Sequence, residues 1–169
     1  MTEAERYSRR QALQIVAALR EFGGMAFARV QLAATGPQVG VRETRRLKGV
    51  YILTEEDALG GSRFDDAIAW RSGMLDIGFV RYEAMQVHDV PYRALLPETV
   101  DGLLVAGRCI SASHVAASAG KSMGNCMATG HAAGVAAAMA ASAGRAPREV
   151  NVGDIQAALR ADGVDLEHR

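Results

Sequence analysis

The feature that most constrains this chain is a pair of linked segments, Val100 to Ser111 and Ser122 to Gly134. Leu103, Leu104 and Val105 make a continuous apolar run of strand length that stops at Gly107, the pattern expected of a strand buried on both faces. The second segment is a glycine-rich turn opening a long alanine-rich stretch, expected to be helical from about Cys126 to Ala143. In open α/β sheets, ligands collect beyond the carboxyl ends of the strands, and Gly107 and Arg108 fall at that place. The helix would aim unpaired backbone N–H groups, and about half a positive charge, at whatever lies before Gly124. Such an end favours an anion, or a group that becomes one.

Three further blocks accompany these two: Gly40-Val-Arg-Glu-Thr-Arg-Arg46, Leu53-Thr-Glu-Glu-Asp57 and Val90-Pro-Tyr-Arg-Ala-Leu-Leu-Pro97. In this order the blocks resemble the C-terminal part of the FAD-dependent oxidoreductases with a two-dinucleotide-binding-domain type of flavin fold, over roughly residues 38–162. The resemblance implies an α/β fold: a mixed α+β portion of a Rossmann-like FAD-binding flavoprotein fold, incomplete without its N-terminal half. It also implies FAD as cofactor, and hydride transfer between a small organic substrate and the flavin. Family members begin with a strand, turn and helix carrying G-x-G-x-x-G, whose backbone holds the FAD pyrophosphate. No G-x-G occurs in these 169 residues. The expectation is therefore a small subunit or C-terminal half, completed by a partner flavoprotein subunit that carries the nucleotide-binding half. Met1 and a capped first helix favour a separate subunit. The alternative is a non-catalytic accessory subunit that binds and stabilises a flavoenzyme.

By the same resemblance, Ser122, Met123, Gly124, Asn125, Cys126 and Met127 lie along the flavin ring, with backbone N–H groups near its pyrimidine edge, and Gly107 and Arg108 join them. The competing reading makes Gly124 a tight helix entry and Asn125 its N-cap. Family members carry an arginine and a proline around this turn, where this chain has Lys121 and Gly124; lysine keeps a charge but not a planar fork. Gly120-Lys121-Ser122 imitates the end of a phosphate-binding P-loop, but the required earlier glycine would fall at Val115, which excludes that motif. Arg108 either meets the cofactor or pairs on the surface with Asp101 or Glu98. His114 is the candidate for orienting substrate or moving a proton near neutral pH; a packed or capped histidine is the alternative. Arg42 and Arg45 are substrate-binding candidates by resemblance, while Arg42, Arg45 and Arg46 read from periodicity alone as a solvated charge run. Members place a histidine after an aspartate-isoleucine pair; here Asp76-Ile77 precedes Gly78, and His88 is a weaker candidate.

With 19 basic and 19 acidic residues the formal net charge is zero, which argues against nucleic acid or an anionic membrane as partner. Near-zero charge suits association. The two cysteines, Cys109 and Cys126, are too few for a disulfide framework or a cysteine-based metal site and have no C-x-x-C spacing, so no metal and a cytoplasmic location are expected. No secretory signal is visible, and the alanine-rich stretch is too weakly apolar for membrane insertion.

Length suits a single domain, 1–169, that buries about 70% of the surface its unfolded chain exposes. Within it the expected regions are an N-terminal helix (1–24), a substrate-facing, strand-containing region (38–99), an FAD-closing strand, turn and helix (100–143), and a C-terminal helix and tail (147–169). The first helix should show a core-facing stripe at Ala12, Ile15, Val16, Leu19 and Phe22, ended by Gly23-Gly24. A strand is expected over 47–53, a capped short helix after Thr54, a second short helix over 63–70, extended segments over 87–96, and a final helix over 152–161. Residues 73–89 carry mixed patterning that assigns no element.

Overall fold

The computed structural model describes residues 2–74 and 84–167, so the Asp76-Ile77-Gly78 segment lies outside the described residues. The chain divides into two compact units, 1–42 and 43–169. It is mixed α/β: among the described residues, helices plus one two-stranded antiparallel sheet.

In the first unit, α1 spans Thr2–Phe22. Gly23 and Gly24 end it as expected, with Gly24 at φ +71° before a 3-10 turn, Met25–Phe27. None of its residues is buried. Ala12, Val16 and Leu19 of the expected stripe are half-covered, whereas Ile15 and Phe22 are exposed. The covering comes from the returning segment, which is held by polar bonds: Glu5 accepts from the Val39 N–H, and Arg9 donates to Thr35 Oγ1 and to the Gly36 and Pro37 carbonyls. The periodicity set the helix, but Ile15 and Phe22 of the expected stripe stay exposed and none of it is buried.

The second unit holds α2 (Glu55–Gly60), the hairpin β1 (Ala67–Met74) and β2 (Ala84–Pro91), α3 (His114–Gly120), α4 (Met123–Ala143) and α5 (Val152–Ala161). α2 forms where Thr54 predicts it. Its hydroxyl accepts from the Asp57 N–H, and the Asp57 carboxylate accepts from the Thr54 N–H. The expected helix over 63–70 is instead a turn running into β1, because Asp89 of β2 claims the Phe64 N–H at 3.0 Å and Arg63 pairs with the same carboxylate. The hairpin sets Trp70 opposite Asp89 and Arg71 opposite His88. Residues 47–53 form isolated bridges, Gly49 with Pro97 and Leu53 with Ala112, and no continuous strand. A 3-10 turn, Tyr92–Ala94, follows Pro91.

One core joins these elements. Leu53, Ile68, Val90, Tyr92, Leu95, Ile155 and Leu159 are almost wholly covered, each such side chain contributing about 1.5–3 kcal/mol of apolar transfer. α4 turns Thr129, Ala132, Ala136 and Ala140 inward, a one-sided stripe and not a helix buried all round. Small side chains there let its neighbours pack close. His131 meets Asp162 at 2.9 Å beside α5, and the Tyr92 hydroxyl donates to the Pro147 carbonyl.

Candidate functional site

Residues 103–106 are not a strand covered on both faces, though Ala106 is extended. Leu103 is 46% exposed, and the Val105 N–H donates to the Leu95 carbonyl. Among the described residues no strand lies alongside it in a ladder. The backbone then turns at Gly107, whose φ of +73° is left-handed and would cost a side-chain-bearing residue about 1–2 kcal/mol.

The Gly107 N–H donates to Thr129 Oγ1 at 3.0 Å, and that hydroxyl donates to the Asn125 carbonyl at 2.8 Å. A Cβ on Gly107 would stand 3.6 Å from Cβ and Sγ of Cys126. One buried hydroxyl thus ties the 3-10 turn Gly107–Cys109 to the first turn of α4. The structure brings Gly107, Asn125 and Cys126 together, with Arg108 next in the chain and exposed. Nearby, Glu98 pairs with Lys48 at 2.6 Å and Asp101 with Arg148.

α4 begins three residues earlier than expected. Ser122, in extended conformation, is the N-cap and makes no side-chain capping bond, so Asn125 lies inside the first turn and is not the cap. At this end the Cys126 N–H donates to the Ser122 carbonyl, closing the first helical turn. N–H groups ahead of it have no acceptor within the helix and carry its positive end. Met123 and Met127 are 83% and 73% exposed on one face. Between them a Cβ added to Gly124 would meet nothing within 4 Å. The helix end is open to approach.

His114 begins α3 behind its N-cap Ser113. Its Nδ1 lies 3.0 Å from Glu43 Oε1, and Glu43 also pairs with Arg46. With the proton on Nδ1, this contact directs Nε2 away from the carboxylate. Arg46 is thus drawn into an ion pair within its own segment, while Arg45 is exposed; Arg42 is exposed at the end of the first unit.

Sequence reasoning missed Arg71, and it left His88 as a weak substrate candidate. His88 is fully buried, which takes it out of reach of substrate. Burial lowers its pKa, and the neighbouring Arg71 charge acts in the same direction against a hydrogen bond to the Gln86 carbonyl. Arg71 Nε donates to His88 Nε2 at 2.9 Å, and Nη2 donates to the Ala116 carbonyl at 3.0 Å. A charged residue among apolar neighbours in Ala67–Met74 was the available signal, obscured by the expectation of a helix there.

The chain matches the family of FAD dependent oxidoreductases over residues 1–159. It belongs to that family. No curated protein and no solved structure matches it. The family's cofactor is FAD and its chemistry is oxidoreduction. The residues here fit that cofactor: an N-terminal helix turn with no side-chain cap, open space over Gly124 and a glycine turn tied alongside suit a ring edge that gains negative charge. Among the described residues no group of three or more histidine, cysteine or acidic side chains could hold a metal ion, and no helix is long and apolar enough to cross a membrane.

Proposed function

We propose that this chain is the small subunit or C-terminal half of an FAD-dependent oxidoreductase, completing the flavin site and lining a substrate pocket. When bound, FAD supplies a hydride acceptor or donor for a small organic substrate. The backbone N–H groups of residues 122–125 face the ring's pyrimidine edge and favour negative charge there. Gly107 and Arg108 flank it, and Met123 and Met127 shield it from water. His114, oriented by Glu43, moves a proton to or from substrate, and Arg45 holds an anionic or carbonyl oxygen. The partner carries the G-x-G-x-x-G half, and the assembly works in the cytoplasm, where Cys109 and Cys126 stay free thiols.

The observation that carries this reading is the tie from Gly107 through Thr129 to Asn125, which joins two blocks of the family resemblance into one surface. The test is the visible absorbance of this chain purified with the polypeptide bearing the nucleotide-binding half, set against each alone. A flavin band found only in the stoichiometric complex is the expected result. Flavin held equally well by the partner alone would make this chain an accessory subunit.

A further inference from the structure

Arg71 is a cation with 2% of its surface exposed, and its hydrogen-bond partners among the described residues, His88 and the Ala116 carbonyl, are neutral. His88 Nδ1 faces the Gln86 carbonyl at 3.0 Å and carries the ring proton, so Nε2 accepts from Arg71 as a neutral imidazole. A second acceptor is the carbonyl of Ala116. Burial brings the guanidinium down to about 10, still far above neutral pH, so the charge persists. Taking a cation out of water costs free energy that neutral acceptors do not restore.

Its position gives that cost a use. Ala116 and Gly120 belong to α3, and Gly120 stands two residues before the N-cap of α4. A Cβ added to Gly120 would collide with Arg71 Nη1, so glycine there lets the guanidinium press against the α3–α4 turn. β1, which carries Arg71, packs against both α3 and α4.

We propose that Arg71 is a fixed positive charge behind the flavin-facing end of α4, held there by His88 and Gly120, and that it raises the midpoint potential of the flavin. A hydride brings two electrons and one proton to a neutral ring and leaves one net negative charge, which Arg71 and the helix end stabilise together. The inference rests on the proposal that the first turn of α4 faces the flavin. Arg71 is a positioning charge and touches no substrate.

The test is the two-electron midpoint potential of the FAD-loaded complex. Arg71→Met is expected to reduce the preference for reduced over oxidised flavin at least tenfold, about 30 mV downward for a two-electron couple. Arg71→Lys, which keeps a charge, should move it less than half as far. Should Arg71→Met fail to assemble, Gly120→Ala displaces the guanidinium without deleting it and should lower the potential in the same direction. An unchanged potential in flavin-loaded Arg71→Met, or in Gly120→Ala where that is the variant that assembles, overturns the inference alone. A wild-type complex that binds no flavin overturns the shared-site reading along with it. A purely structural arginine would change stability and leave the potential in place.

Discussion

Gly107 and Gly124 both stand in the candidate site, but the first serves the chain's own backbone and the second leaves room for something else. At φ +73°, Gly107→Ala should destabilise the protein by about 1–2 kcal/mol, read from urea denaturation. Gly124 has open space around its missing Cβ and lies within a helix, so Gly124→Leu should hold or raise stability, by up to about 1 kcal/mol. It should nonetheless abolish flavin retention in the complex. Unchanged flavin content there would remove the cofactor from this turn. Gly107 and Gly124 were legible as glycines in suggestive places, and what set them apart was an angle and an empty volume. Arg71 and His88 acquire their meaning only through each other, across the hairpin.

Among the elements, α2 shows how far local chemistry reaches. Thr54 and Asp57 exchange hydrogen bonds around its first turn, and the Tyr51 hydroxyl adds a third at 2.8 Å. Burial alone would raise the Asp57 pKa, but these donors outweigh it and hold the carboxyl below its ordinary value of 3.8. A carboxyl depressed in the folded state adds stability that is present in full above the unfolded pKa and is lost as pH falls through the folded one. Stability should therefore decline below about pH 4, the ordinary Asp range, and Asp57→Asn should flatten that decline. Thr54→Ala should cost about 1 kcal/mol at neutral pH. Thermal melts across the acid range read both effects; an Asp57→Asn profile parallel to wild type would show that the carboxylate is not held as the geometry indicates. The capping signal was legible because it acts within three residues. The region 63–70 was not, since the acid that organises its turn, Asp89, lies 25 residues beyond Phe64.

Across the whole molecule the two compact units bury very different shares of their side chains. α1 has no buried residue, while Ile155 and Leu159 of α5 are 0% and 1% exposed. Helices gain most of their stability from packing an apolar face, so backbone amides of α1 should exchange with solvent much faster than those of α4 and α5. Hydrogen exchange read by mass spectrometry checks this on the isolated chain, and equal protection in α1 and α5 would contradict it.

Taken alone, the sequence determined whatever acts over a turn or two: the end of α1 at Gly23-Gly24, the cap of α2 and the bounds of α5. Capping groups and helical periodicity operate within a few residues, so local composition suffices for them. The tertiary structure alone decided that Arg71 meets His88, 17 residues on, that Gly107 is tied to Thr129 across 22 residues, and that residues 103–106 run without a ladder partner among the described residues. Contacts of that kind depend on which surfaces the folded chain brings together, and burial then determines whether a charge is solvated or directed at a site.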